Sequence, residues 1–452
     1  MDLVVTDARL RDGRVVDLTV DAGRLRVLPR GTALHTPAAN GTPAAPAANG
    51  APAANAAPAA NGAPAANGAP AANGADGVPG ASGAVRVIAA EGRLVTESAV
   101  DCHLHLDKVH TLDRVGDGAL SAYTADGMAG AMTSIELASA VKKNYRREDA
   151  LPHIRRALTE AVRHGTLHIQ AFVDVDTAAG LEGFAAVSAA KAEFADILNV
   201  EIVAFPQDGV LRDPGAAELC EEALRLGADV VGGIPWIEHT DTDARRHVEW
   251  ACALAARTGK RVAMLTDDAG DPNLRTTEML ASAMLVHGLE GRGVACHARA
   301  LALYPQPSLL RLAGLARRAG LGFVSDPQTG PLHLPVALFR ELNLPVALGQ
   351  DDIEDAYYPF GRANLWEVAF LAAHLLEFRT AKAQQVLLDL VTTDAARVLG
   401  VRDHRIADGA PANFVVHDAE RIVDVLRRHA APRWVVARGR VVAETTITSA
   451  IM

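Results

Sequence analysis

The chain has little aromatic content, few cysteines and no excess of positive charge. Phe, Trp and Tyr together make up 4% of its 452 residues, so any core must be built from Leu, Val, Ile and Ala. The four cysteines, Cys102, Cys220, Cys252 and Cys296, lie far apart with no CxxC pair. That excludes a disulfide framework and fits a reduced, cytoplasmic protein. Lys plus Arg number 44 against 54 Asp plus Glu, a formal charge of −10. A general nucleic-acid or anionic-membrane binder needs the opposite sign. The first residues, MDLVVTDARLRDGR, show no basic stretch followed by an apolar one, so no secretory leader is expected. The most apolar long stretch, 365–378, is too short to span a bilayer and carries Glu367 and His374. Neither a GxGxxG fingerprint nor a GxxxxGK[ST] loop occurs. What remains is 49% hydrophobic and 22% charged, the balance of a globular protein with a large core.

Residues 36–83 repeat Ala-Pro-Ala-Ala-Asn-Gly with small variations. With no charge before Asp76 and no large apolar residue before Val78, the segment buries too little to offset its ordering entropy, and it is expected to be a disordered surface excursion. It interrupts short alternating segments joined by Asp-Gly and Ala-Gly turns, which resume at VRVIAAEGRLV and recur near the C-terminus. Residues 1–35 and 84–97 with 400–447 are therefore expected to form one small β-sandwich domain from both chain ends.

Between them, 98–399 alternates apolar, β-branched runs with helical patterns. The runs are 98–107, 166–175, 199–206, 228–235, 261–268, 293–298, 320–327 and 345–352. Eight strand–helix units in series predict a (β/α)8 TIM barrel, with chemistry at the C-terminal ends of the strands.

Those ends supply a candidate site. His103 and His105 are two apart on strand one, so the period of a strand aims both the same way. By the same parity Cys102, and Cys296 beside His297, should face the helices, leaving His297 inward as a ligand or a hydrogen-bond donor. Strand eight ends in Gln350-Asp351-Asp352, which offers a third ligand or a solvated strand end. Three protein ligands plus a water is the ordinary arrangement of a catalytic metal site, in which the ion lowers the pKa of that water. Lys108 reads as a barrel-mouth group or a solvated lysine, and His110 and Asp113 as loop residues near the mouth. His164, His168, His247 and His287 read as surface or packing residues. Asp174 and Asp176 share a parity opposite to Val173 and Val175, and which pair faces inward is open. Glu354 and Asp355 are candidates for orienting the strand-eight carboxylates.

His-Leu-His-Leu-Asp at 103–107, VAFPQDG at 203–209, EEALRLGADVVGGIP at 221–235, Cys296-His297 and QDDIEDAYYPFGRANLWE at 350–367 resemble cytosine deaminase. More broadly the chain resembles the amidohydrolase superfamily, from its first residues to about Glu444 apart from the insert. The resemblance implies hydrolysis of C–N bonds in pyrimidine- or triazine-like heterocycles with one zinc or iron ion, a small-molecule substrate, and assembly as a homo-oligomer. It implies His103, His105 and Asp351 as metal ligands, and His297 as the group polarising water or substrate. Gln207 and Asp352 are implied as ring contacts and Tyr357 as an aromatic pocket wall. It departs at strand five, where Leu265-Thr266-Asp267-Asp268 stands for His-Cys-Asp-Glu. Leucine cannot bind a metal, and Asp268 is one methylene shorter than the proton-shuttling glutamate. Phe172 on strand two and Trp236 on strand four replace smaller or polar groups, pointing to a larger or more apolar ring than cytosine. Two other readings follow from the departures: metal-independent catalysis by Asp268, His297 and Asp351, or a silent binding protein on the same scaffold.

Overall fold

The computed structural model describes residues 1–33, 85–115, 120–121, 133, 135–137 and 142–452. The repeat insert, 36–83, lies outside the described residues. Strands β1 (Leu3–Arg9), β2 (Val15–Asp21), β3 (Arg24–Pro29) and β4 (Arg86–Ala89) form one sheet in the order β3-β2-β1-β4. Strand β5 (Val95–Glu97) joins β14 (Phe414–Val416), β15 (Trp434–Ala437) and β16 (Arg440–Glu444) in a second. Alternate residues of both sheets, among them Val5, Leu18, Leu25, Phe414 and Val436, meet in a shared apolar layer. That layer is what makes the two sheets a sandwich.

Strands β6 (Ala99–His105), β7 (Thr166–Asp174), β8 (Asn199–Phe205), β9 (Val230–Gly233), β10 (Arg261–Thr266), β11 (Gly293–His297), β12 (Gly322–Ser325) and β13 (Val346–Leu348) form a parallel sheet in sequence order. Each falls within one of the eight apolar runs. The sheet closes into a (β/α)8 barrel where the Asp351 N–H donates to the His103 carbonyl and the Asp351 carbonyl accepts from the His105 N–H, both at 2.7 Å. The outward residues, such as Ile169, Ala171 and Val173 of β7, pack on the surrounding helices. The inward ones, including Val203, Val230, Ala263 and Val324, fill the barrel as a second apolar layer. Helix Thr393–Leu399 plugs the bottom with Ala395, Ala396, Val398 and Leu399.

The expected parity of the cysteines is overturned. Cys102 and Cys296 belong to the barrel interior, and Cys102 Sγ sits 3.5 Å from the Ala395 carbonyl of the plug. Two local irregularities are responsible. The β6–β7 register slips between Asp101 and Leu104, so Cys102 and the histidines after it all face inward. His297 has φ +62°, a left-handed conformation that turns its side chain inward directly after an inward Cys296.

Candidate active site

The site is assembled from strand ends that leave regular β geometry. Asp351 and Asp267 also have positive φ, at +64° and +46°, a conformation aspartate tolerates better than most residues. Gly349 allows the end of β13 to come close. A Cβ there would lie 2.4 Å from Asp326 Oδ1 and 2.9 Å from the His103 Cβ, so no larger residue fits. Asp101 braces the same junction, its Oδ1 accepting from the His103 N–H at 3.2 Å and the Gln350 N–H at 3.1 Å.

Three imidazoles gather round one carboxylate oxygen. The Nε2 atoms of His103, His105 and His297 lie 2.9, 3.7 and 3.8 Å from Asp351 Oδ1. On its other side, His297 Nδ1 is 3.3 Å from Asp326 and 3.6 Å from Asp268. Asp268 is clamped by the Arg299 Nε–H at 2.6 Å. Burial holds all three histidines neutral, lowering His103 to about 3 and His105 and His297 well below the ordinary range. Burial also raises the carboxyls: Asp101 and Asp351 to about 7, with Asp326 and Asp352 well above their usual value. Asp268 is raised by burial too, against the pull of Arg299.

This donor set fits a divalent cation. His103, His105 and Asp351 offer three ligand atoms within 4.8 Å of one another, and all three residues are buried. Despite its closeness to Asp351, neither ring nitrogen of His103 has a hydrogen-bond partner. Lone pairs aimed at a common point beside a crowd of buried carboxyls are what a positive ion compensates. Leu265, the residue at the strand-five position, is 4% exposed and belongs to the apolar interior, so β10 contributes no ligand there.

Beside the histidines lies a buried ionic network. Lys108 is not a solvated lysine: its Nζ is 2.9 Å from Asp174, 2.8 Å from Gln207 Oε1 and 3.2 Å from His105 Nδ1. Burial alone would lower its pKa, but Asp174 and Asp107 outweigh it and hold the ammonium charged. Lys142 reaches Asp174, Asp176 and Asp208 at 3.3, 2.5 and 3.0 Å. Asp174 and Asp176 therefore face inward, while Val173 and Val175 pack on the helices.

Above the histidine–carboxylate cluster is a narrow, half-open pocket of about 40 Å³, lined by His105, Ile135, Gln207, Ile234, Trp236, Leu265, Asp268, His297, Asp351, Asp352 and Tyr357. Gln207, Trp236, Asp352 and Tyr357 thus stand where substrate contacts were expected. Phe172 does not. It is fully buried with its ring 4.2 Å from that of His103 and 5.3 Å from that of Phe205, so it backs His103 rather than lining the cavity. His103 itself is fully buried behind the lining.

Further residues stand around the site, and Asp355 hydrogen-bonds Asp352 as expected of a group orienting the strand-eight carboxylates. His247 is completely buried, its Nδ1 2.7 Å from Glu238. His110 pairs with Glu354 at 2.7 Å outside the cavity, and Asp355 accepts the Tyr357 and Tyr358 N–H groups. Asp326, Arg299 and Lys142 were missed. Asp326 had a legible signal, an acidic residue directly after a barrel strand, and Arg299 follows β11 by two positions. Lys142 lies in the long connection after β6 and had none.

Residues 86–443 match the family described as "Amidohydrolase family", and the chain belongs to it. It is a hydrolase acting on carbon–nitrogen bonds other than peptide bonds. Over 336 residues it is 29% identical to the N-isopropylammelide isopropyl amidohydrolase of Pseudomonas sp. (strain ADP), covering 73% of this chain and 81% of that protein. It is 26% identical over 371 residues to the pterin deaminase of Rhizobium rhizogenes, covering 77% of this chain and 80% of that one. A crystal structure of the 5-methylcytosine deaminase from Klebsiella pneumoniae with 5-fluorocytosine superposes with a TM-score of 0.80, at 26% identity over 99% of both chains. Among the described residues, no helix is long and apolar enough to cross a membrane.

Proposed function

We propose that the protein hydrolyses a C–N bond of a small pyrimidine- or triazine-like heterocycle, with one divalent ion, zinc or iron, held by His103, His105 and Asp351. The observation that carries this reading is the convergence of the His103 and His105 Nε2 atoms on Asp351 Oδ1, at 2.9 and 3.7 Å, beside a pocket lined by both polar and apolar side chains. Relatives named for an alkylaminotriazine, a pterin and a methylated cytosine support the substrate class. The ion, when bound, supplies Lewis acidity and lowers the pKa of water in contact with it.

The chain's own residues then divide the work. Asp268 lines the cavity with burial raising its proton affinity and Arg299 restraining it, which suits a group that takes and returns a proton. Neutral His297, between Asp351 and Asp326, donates to or accepts from the attacking water or the ring. Gln207, Trp236, Asp352 and Tyr357 hold the heterocycle. Phe172 fixes the ring plane of His103, and Lys108 orients Gln207.

The test is metal content of the purified protein, beside a His103→Ala/His105→Ala control, followed by a screen of amino-heterocycles for released ammonia or amine. About one equivalent of zinc, iron or manganese, lost in the control, supports the three-ligand site. No metal after reconstitution overturns it and leaves acid–base chemistry by Asp268, His297 and Asp351, or a silent binder.

A further inference from the structure

Two loops that shape the pocket are tied together by a pair of side chains outside it. The loop after β8 carries Gln207, and Ile234 and Trp236 stand at the single turn Pro235–Ile237 after β9; all three residues line the pocket. Glu238 directly follows that turn, and His247 lies on the helix Asp241–Thr258. The side chains of Glu238 and His247 are both fully buried.

The pair is bonded at both ends. The Ile234 N–H donates to His247 Nε2 at 3.3 Å. Burial lowers the pKa of His247 and keeps the imidazole neutral. With Nε2 accepting, its one ring proton sits on Nδ1 and is donated to Glu238 Oε1 at 2.7 Å. The same carboxylate accepts the N–H groups of Val210 at 2.7 Å, Leu211 at 3.1 Å and Arg212 at 3.0 Å, on the loop that follows Gln207. Arg212 crosses back, its Nη1–H donating to the Ile237 carbonyl at 3.2 Å. A lining residue of one loop is thus bonded, through an imidazole and a carboxylate, to three consecutive N–H groups of the other.

The sequence makes room for this link. A Cβ on Gly209 would lie 3.0 Å from Glu238 Oε1, and one on Gly233 would lie 3.0 Å from His247 Nε2. One glycine on each side therefore lets the backbone close on the pair. Apolar side chains of the same volume would fill the space at no greater cost, so what the ionic pair adds is fixed geometry.

We propose that Glu238 and His247 are a positioning pair that holds the β8 and β9 sides of the pocket as one piece and thereby fixes its width. The pocket measures only about 40 Å³, so a small shift of that wall decides which rings enter. With the pair intact, a one-ring heterocycle is favoured over a two-ring one. The ring-size consequence rests on the proposed heterocycle reading; the positioning does not.

Hydrogen exchange read by mass spectrometry tests the positioning without a ligand. Wild type is expected to protect Ile234 and 210–212 as strongly as strand amides, and free exchange there overturns the proposal whatever the stability of the variants. His247→Asn keeps an N–H at the place of Nδ1 but loses the acceptor for Ile234. Ile234 is expected to exchange at least about tenfold faster in it, with 210–212 still protected. Glu238→Gln keeps the volume and loses the carboxylate, and there 210–212 are expected to exchange faster by a similar factor. Metal content and the amides of β6, β11 and β13 are expected to stay as in wild type. Unchanged exchange in both variants overturns the proposal, as does a rise spread over the whole barrel, which would mean a stabilising role only.

Calorimetry with cytosine and pterin on the metal-reconstituted proteins reads the width. Wild type is expected to bind cytosine more tightly, and the ratio of the two dissociation constants to move about tenfold toward pterin in Glu238→Gln. An unmoved ratio, or a wild type that prefers pterin, overturns control of ring size and leaves the heterocycle reading intact. Binding of neither ring to wild type overturns that reading, while the exchange result still decides the positioning.

Discussion

Asp351 closes the barrel through its backbone to His103 and meets the same residue's imidazole through its side chain, 2.9 Å from Oδ1 to Nε2. Barrel closure and the geometry of the proposed ligands are therefore one structural event, and substitution can separate them. Asp351→Asn keeps the backbone hydrogen bonds, and asparagine tolerates the +64° φ at this position. The expected outcome is a folded protein with a melting temperature near that of the wild-type apoprotein. Its metal content should fall from about one equivalent to near zero, a three-ligand site having lost its anion. Elemental analysis and thermal unfolding on the same sample check this; retained metal would show that Asp351 is no ligand.

Proton competition at that carboxyl gives a pH dependence. Burial, opposed by a hydrogen bond from Asp352 and reinforced by Asp268, raises Asp351 to about 7. A cation requires the carboxylate, so below pH 7 binding must displace a proton. Metal affinity is expected to rise as pH increases from 5 to 7, by about tenfold per unit for one displaced proton, and to flatten above that. The apoprotein moves the opposite way. A carboxyl whose folded pKa lies above its unfolded value loses stability as pH rises from 3.8 toward 7, because the folded state must give up a proton it prefers to keep. Chelator competition across that range reads the first effect. A flat profile would assign the proton elsewhere.

Arg299 sets the proton affinity of Asp268 from 2.6 Å away. Burial raises Asp268 and the guanidinium is the largest influence lowering it. Removing that charge in Arg299→Gln therefore raises Asp268 further. The limb of the kcat/KM profile that Asp268 governs is expected to move to higher pH by about one unit or more, the scale of an opposite charge within hydrogen-bond range. A shift toward lower pH would count against Asp268 as the titrating group.

Much of this was legible in the chain, for identifiable reasons. Buried parallel strands read as continuous apolar runs, so all eight barrel strands stood out, and His103, His105, His297 and Asp351 could be placed at their ends. Inward and outward faces were not legible wherever strand geometry broke. Cys102 and Cys296 were assigned the wrong side because a register slip and a left-handed residue are properties of the closed barrel, absent from residue spacing. Phe172 was placed at the substrate by its position in the family pattern, which gives direction but not depth. Asp174 and Lys142, 32 positions apart, meet through the fold alone.

That meeting carries weight of its own. Lys142 is 2% exposed and compensates Asp174, Asp176 and Asp208. Replacing it with Met preserves the stem and removes the charge, leaving buried Asp176 without its ammonium while Asp174 keeps Lys108. The cost of breaking one side of a buried pair is about 3–5 kcal/mol, and chemical denaturation of Lys142→Met is expected to show a loss on that scale. A change below about 1 kcal/mol, the range of exposed pairs, would mean that the network is solvated in solution.

Leu265 offers the converse change, a gain. It lines the cavity with His297 and Asp351, at the end of the strand that contributes no ligand. Leu265→His introduces an imidazole of comparable size where the resemblance to cytosine deaminase implies one. With a ligand added, the metal dissociation constant is expected to fall by at least about tenfold, which corresponds to only about 1.4 kcal/mol. The apoprotein, by contrast, should lose stability, since a buried apolar contact becomes an unpaired ring nitrogen. Opposite signs in the loaded and unloaded protein distinguish a true ligand from a repacked core. Chelator competition and paired melting curves with and without zinc measure both, and destabilisation in both states would mean that the position does not face the ion.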